Sequence, residues 1–380
     1  MFKKLVIAGA LATAFAGSAL AQSSVTIYGM LDVGVIGTNH SGTANANVNA
    51  LTSGVDQTSR LGFRSTEDLG SGRSAGMNLE SQIDAGNGSQ GLGSSTGAAN
   101  ETFARAANVF LEDKTLGRLT LGRQANAAWS TYASLDGRKN SNFGSITDFI
   151  ADGSSFGGTA TSKTGLSTYT GGAFTSNTVR YDTPTFKGFN ATYSRVFGNV
   201  SGNADASSSD QYMIRYDNNG MFYGAVGTYK VNNSVGNASG ENVFVGAGAR
   251  VTKSVTLTSS YFQLKNPGAR SGTNGSFDLY SVGARYQATP KIELTTGFYQ
   301  LKDNNNSNNG ADVQSLLATY SLSKRTHLYA GGSFVKNKGT TGIAAYGGGG
   351  ANLNSLGTTN ALAQAGIAQS AYAIGMRHTF

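Results

Sequence analysis

From residue 24 onward this chain repeats one pattern, in which apolar and polar residues alternate singly through segment after segment. Val25, Ile27, Leu31, Val33 and Val35 share one parity, while Thr26, Tyr28 and Asp32 take the other. Leu61 and Phe63 oppose Arg60, Gly62 and Arg64; Ala75, Met77, Leu79 and Ile83 oppose Asn78, Glu80 and Gln82. Val179 and Tyr181 oppose Thr178, Arg180 and Asp182, and Val243, Val245, Ala247, Ala249 and Val251 oppose Gly246, Gly248 and Arg250. Tyr280, Val282, Ala284 and Tyr286 oppose Ser281, Gly283 and Arg285. A period of two sends successive side chains to opposite faces, so these are strands with one apolar and one polar face. No run after residue 21 approaches the ~18–20 apolar residues of a spanning helix. The fold class is all-β, although segments 221–229 and 326–335 do not choose a face.

The polar face decides which kind of β protein this is. It carries Arg60, Arg64, Glu80, Arg180, Arg215, Arg250 and Arg285, and lining the dry core of a sandwich with those charges is prohibitively costly. A water-filled interior accepts them, which leaves the apolar parity for lipid. Hydrocarbon admits β structure only as a closed barrel, because open edges strand unpaired backbone groups. Only 13% of residues are charged, about half the ~25% of a soluble domain. With Cys at zero there are no disulfides and no thiolate metal sites. No cofactor is expected.

Connections alternate as well. Tight turns fall near 68–72, 113–117, 184–188, 218–220, 252–254, 288–291 and 323–325. Long polar segments cover 38–58, 85–102, 125–176, 199–209, 232–240, 265–276, 302–311 and 336–369. Seven turns and eight loops join about sixteen strands, a transmembrane antiparallel up-and-down barrel wide enough for water. Pro184 and Pro290 sit in turns and Pro267 in a loop, so none interrupts a ladder. Gly347–Gly350 lacks the strand–helix context of a phosphate loop.

The ends have separate roles. Lys3 and Lys4, the apolar stretch from Leu5 to Phe15 and the small-x-small triplet Ala19-Leu20-Ala21 read as a cleaved export signal over 1–21, with residues 22–380 forming the barrel; a buried helix is the competing reading. At the other end Tyr372, Ile374, Met376, His378 and Phe380 share one parity, and this last strand is expected to pair with the one starting near Ser24. His378 is the odd member of that row.

Several motifs together resemble the trimeric general-diffusion porins of the beta-proteobacterial outer membrane. They are Ser24-Val25-Thr26-Ile27-Tyr28-Gly29, Ser59-Arg60-Leu61-Gly62-Phe63-Arg64 continuing through Glu67-Asp68-Leu69-Gly70, and Leu116-Gly117-Arg118-Leu119-Thr120-Leu121-Gly122-Arg123-Gln124. Leu322-Ser323-Lys324-Arg325-Thr326-His327 and Gly375-Met376-Arg377-His378-Thr379-Phe380 complete them. The resemblance implies a homotrimer of sixteen-stranded barrels set in outer-membrane lipid and lipopolysaccharide, each narrowed by an inward-folded third loop. It also implies a pore constriction at Arg60, Arg64, Glu80, Arg123 and Arg180. Arg123 alternates in step with Leu119 and Leu121, so its lumen position requires a bulge or a strand end near Gly122. Loop three offers Asp136, Asp148 and Asp152 as facing acids, with Asp148 chosen.

Arginines facing opposed carboxylates in a narrow channel set ion preference, and their excess over acids points to anions. Enzymatic activity is not expected: His40, His327 and His378 are scattered, without a partnered nucleophile or acid. Other readings are a barrel-anchored surface adhesin, which a plugged lumen would mark, and a solute-specific channel for sugars or organic acids. The formal net charge of +8 is spread along all strands, an arrangement unlike a nucleic-acid interface.

Overall fold

The computed structural model describes residues 24–41, 45–90, 102–145, 155–156, 173–265, 276–346 and 363–380. The export signal, Asp148, Asp152, Pro267 and Gly347–Gly350 lie outside these residues.

The chain forms a closed antiparallel barrel of sixteen strands. Strand β1 is Ser24–Ser41, and β2 comes in two pieces, Ala46–Ser53 and Arg60–Gly70, both paired to β1. Next come β3 (Arg73–Gln82), β4 (Ala106–Asp113) and β5 (Gly117–Ala125). Strand β6 is also split, into Phe174–Thr175 and Thr178–Asp182. The following strands are β7 (Phe189–Val196), β8 (Ser209–Asp217), β9 (Phe222–Asn232), β10 (Ala238–Arg250) and β11 (Val255–Lys265). The last five are β12 (Ser276–Thr289), β13 (Ile292–Asp303), β14 (Gly310–Ser321), β15 (Thr326–Lys338) and β16 (Gln369–Thr379). Closure occurs as the C-terminal alternation implies: β16 pairs with β1 from Met30↔Thr379 to Thr38↔Ala371. Backbone bonds between Gly29 and Phe380, at 3.2 and 3.0 Å, extend the seam.

All seven tight turns fall where turn residues punctuate the sequence. Two of the expected long loops are mostly ladder. Segment 38–58 belongs largely to strands, with β1 running to Ser41 and Ala46–Ser53 pairing antiparallel along it. Segment 232–240 shrinks to a short hairpin turn between Asn232 and Ala238. Polar residues such as Asn39 and Asn49 read as loop in sequence, but beyond the hydrocarbon a strand needs no apolar face.

Across the middle of the strands the outer face carries the apolar parity: Ile27, Leu111, Ile214, Val282 and Ile374 are all exposed. The two ambiguous segments resolve by register. In β9, Tyr223, Ala225 and Tyr229 point inward, as do Tyr329, Ser333 and Val335 in β15. Inside, the wall is not uniformly polar. Phe244, Phe262, Leu264, Phe277, Leu279, Leu301, Val313 and Val335 face inward and are buried in one cluster.

What covers that apolar wall is the third loop, folded inward as expected. Its helix α1 (Ala127–Ser134) starts at Asn126, whose side-chain oxygen accepts from the Trp129 amide at 3.1 Å, satisfying one of the helix's free donors. The helix packs on β8, β9 and β10, with Ala128 donating to Gln211 at 3.1 Å and Tyr132 set against Phe244 and Phe262. Leu135 and Phe143 are also buried there, and burying each contributes about 1.5–3 kcal/mol. Gly137 permits the closest approach: a Cβ there would stand 2.5 Å from the Gly283 Cα on β12. Ser155–Phe156, farther along the loop, pairs with Thr341–Gly342 in the connection before β16.

Candidate pore constriction

Two groups of charges line the β1–β8 side of the inner wall. The first spans β1 to β4. Register puts Tyr28, Arg60, Arg64, Asn78 and Glu80 on one inward face, with Tyr28 opposite Gly62 and Gly62 opposite Glu80. The Tyr28 hydroxyl donates to Asn78 at 2.8 Å and to Glu80 at 2.9 Å. The Arg64 guanidinium lies 5.2 Å from the centre of the Tyr28 ring, within cation–π range. Three residues expected in the constriction (Arg60, Arg64 and Glu80) are thus brought together. Glu80 is also engaged by Arg105, whose Nε lies 2.6 Å from Oε1. Arg60 feels the charges of both Glu80 and Arg105, yet its hydrogen bond is to the Met30 sulfur, at 3.8 Å.

The second group lies on β4 to β8. Arg180 and Asp182 are two residues apart on one parity, hence on one face, and they form a two-pronged pair with both N···O distances 2.8 Å. Thr192 donates to the same carboxylate at 2.6 Å. Arg118, opposite Asp182 in register, reaches Glu112 at 3.6 Å and stacks over Phe110 at 3.7 Å. Arg215 on β8 bonds to Thr131 of α1, at 3.0 Å through Nε, and to Ser130.

Arg123 behaves differently. No register shift occurs in its ladder, and it sits opposite Ala107 on the outward parity, despite the φ of +115° at Gly122. Its guanidinium bonds to the Ala104 carbonyl at 2.5 Å and to Ser176 at 2.6 Å. Arg123 therefore braces the backbone immediately before Arg105.

Among the loop acids, Asp136 does not face open water. It is 1% exposed, accepts from the Tyr299 hydroxyl at 2.5 Å and from the Asn140 amide at 3.0 Å. Burial raises its pKa above the ordinary 3.8, against the lowering effect of those bonds and of Arg138. Arg138 is buried too, bonded to Thr295, Ser315 at 3.1 Å and the Phe143 carbonyl at 2.9 Å. Loop three is thus riveted to β13 and β14 by its own charges.

The far end of the described loop is held by residues 54–59, which interrupt β2. Asn142 bonds to the carbonyls of Gly54 and Asp56, at 2.8 and 2.7 Å, and Gln57 to the Asn140 carbonyl at 3.1 Å. This excursion wraps Asp32 on β1, whose carboxylate accepts from the Val55 and Gln57 amides (3.2 and 2.9 Å) and from Tyr329 (2.6 Å). Asp56 pairs with Arg377 at 2.5 Å.

Arg105 and Asp32 were not among the expected site residues. Arg105 precedes β4 on the wrong parity for a lumen residue, and Asp32 carried only its inward alternation. Asp182 and Arg215 were legible as inward-facing, but nothing in the sequence shows which of them cancels a charge. Among the described residues no three His, Asp or Glu side chains gather as a metal site.

A Gram-negative porin family pattern matches residues 8–340. Outer membrane porin protein 32 of Delftia acidovorans is 30% identical over 381 residues, covering 100% of both chains. Among solved structures, the anion-selective porin from Comamonas acidovorans superposes with a TM-score of 0.75 at 25% identity, covering 94% of this chain and 100% of that one. The trimer form of OmpT from Vibrio cholerae shares the fold at a TM-score of 0.63 and 15% identity, over 94% of this chain and 99% of that one. A closed barrel with an apolar outside, a charged inner wall and an inward third loop, matched over nearly its whole length by such relatives, is a channel through the outer membrane, and the chain belongs to the Gram-negative porin family.

Proposed function

We propose that this porin passes small hydrophilic solutes passively and prefers anions. One observation carries the preference: the acids of the β1–β8 wall are already spent, Glu112 being reached by Arg118. Glu80 is held by Arg105 and Asp182 by Arg180. Arg60, Arg64 and Arg215 have no carboxylate partner among the described residues. The net field in the narrowed lumen is positive, and confined charges of one sign favour counter-ions. The relative from Comamonas acidovorans, itself anion-selective, supports the same reading. In this proposal Arg60, Arg64 and Glu80 form one side of the constriction and Arg180 the other, with Arg123 positioning Arg105 and Asp148 remaining the proposed loop acid.

We further propose cleavage of residues 1–21 on export, assembly as a homotrimer and a surround of outer-membrane lipid and lipopolysaccharide. Transport needs no chemical step. Reversal potentials across planar bilayers under a salt gradient test the preference. Anion selectivity is expected, reduced by Arg60→Gln with Arg64→Gln; a cation-selective or unselective wild type rejects the proposal.

A further inference from the structure

Three aromatic rings on the inner wall share one arrangement. Tyr28 stands directly opposite Gly62, Phe110 opposite Gly76 and Tyr223 opposite Gly248, all on the inward parity. Each ring lies across its glycine, so close that a Cβ at Gly62, Gly76 or Gly248 would strike it. Each ring also carries a guanidinium. Arg64 lies 5.2 Å from the centre of Tyr28, Arg118 lies 3.7 Å from that of Phe110, and Arg250 lies 4.5 Å from that of Tyr223. Glycine, ring and guanidinium thus form three layers, repeated at three places on the wall.

In two of them the arginine follows the glycine by two residues, in Gly62-Phe63-Arg64 and Gly248-Ala249-Arg250; in the third it comes from β5, on the other side of the ring. Gly283-Ala284-Arg285 repeats the spacing without a ring. There Gly137 of loop three covers the glycine, and Arg285 bonds to the Asp136 carbonyl at 2.6 Å. The same short sequence therefore serves either to seat the loop or to mount an arginine on a ring.

The layering fixes what each mounted guanidinium offers. One face rests on a ring, which leaves the other face and the N–H edge. Arg64 is exposed and makes no hydrogen bond among the described residues. Arg118 stands 3.6 Å from Glu112 and Arg250 is paired to Asp217 at 2.6 Å, yet their side chains keep 39% and 37% exposure. A halide uses only the charge of such a group. A planar aromatic carboxylate uses more, because its oxygens take the N–H edge while its ring stacks on the free guanidinium face or against the wall ring. The mounts at Arg118 and Arg250 stand at the short-turn ends of their strands, and the mount at Arg64 stands beside Glu80. A solute therefore meets them in passage.

We propose that these mounts make the pore selective, among anions, for planar aromatic carboxylates. This rests on the anion preference proposed above and names the solute class within it.

The test compares block of the chloride current across planar bilayers by benzoate and by cyclohexanecarboxylate, at neutral pH where both are ionised. The two acids are alike in charge and size, and only benzoate is planar. Wild type is expected to be half-blocked by benzoate at about fivefold lower concentration, the scale of one added cation–π contact at an exposed site. Tyr28→Leu, Phe110→Leu and Tyr223→Leu combined keep every charge, remove the rings, and should bring the two half-block concentrations together. Arg64→Lys with Arg118→Lys keeps the charge without the planar face, and should do the same. A measurable single-channel current shows that each variant is folded. Equal block of wild type by the two acids overturns the inference, as does a preference for benzoate that survives either set of replacements. A benzoate preference in a wild type whose reversal potential shows no anion selectivity would uphold the mounts and reject the anion preference. Anion selectivity with equal block would do the reverse.

Discussion

Arg180 and Arg60 carry the same charge on the same wall, yet their surroundings differ. Arg180 is locked to Asp182 by two hydrogen bonds, whereas Arg60 meets a thioether. Removing Arg180 and Asp182 together, by Arg180→Gln with Asp182→Asn, should leave the reversal potential near the wild-type value. Arg60→Gln with Arg64→Gln should move it toward cations; equal shifts in the two variants would refute the division. Asp136 makes a separate prediction. Its pKa is raised by burial, so folding disfavours its charged form, and the stability of the loop seat falls as pH rises from the ordinary value of 3.8 through the raised one. Asp136→Asn still accepts from Tyr299, and should remove this pH dependence. Limited proteolysis of loop three between pH 4 and pH 8 reads it, and parallel profiles for both proteins would exclude Asp136 as the source.

Helix α1 has no apolar stripe of its own to dictate where it lies. Small residues let it approach the wall, and the inward aromatics of β10 and β11 provide the seat. Gly137→Ala, which places a Cβ 2.5 Å from the Gly283 Cα, should cost about 1–3 kcal/mol by forcing the loop off β12. Thermal unfolding followed by gel mobility measures the loss. The excursion at 54–59 is the second anchor. Tyr329→Phe leaves the Asp32 carboxylate short of one donor, at a cost of about 1–3 kcal/mol, and should increase open-channel current noise as loop three loosens. A quiet channel in this variant would show that the anchor at Asp32 is not coupled to the loop. Neither anchor is legible in sequence. Asp32 is read there as one more inward polar residue, and the 54–59 excursion as part of a loop, because the partners that give them roles lie on β15 and in loop three.

At the scale of the barrel, the membrane acts as solvent for one face and water for the other. Val245 sits on the outward row of β10, and Val251 follows that strand at the short-turn end. Val245→Arg should destabilise the barrel in lipid by about 2–4 kcal/mol and Val251→Arg by about 0–1 kcal/mol. Equal costs in urea titrations would mean that this face does not span a depth gradient. The interior is wet only in part. Its β1–β8 side is polar and charged, while the β10–β15 side is an apolar core shared with loop three. The alternation read from sequence gives each strand one apolar and one polar face; the Phe and Leu residues facing inward near the loop ends of β10 to β13 depart from it.

Turn placement, the closing seam and the lipid-facing parity of most strands were settled by sequence, because side-chain alternation and turn geometry are local properties of the backbone; the faces of 221–229 and 326–335 and the strand content of 38–58 and 232–240 were not. The inward group of Arg60, Arg64 and Glu80 came from the same local rule. Two features required the folded chain: which arginines keep an uncancelled charge, and where Arg105 and Arg123 reach. Each depends on register between strands and on the path of a loop across the barrel. Coulomb and hydrogen-bond partners are chosen by distance in space, and in a barrel those distances are fixed only when the last strand meets the first.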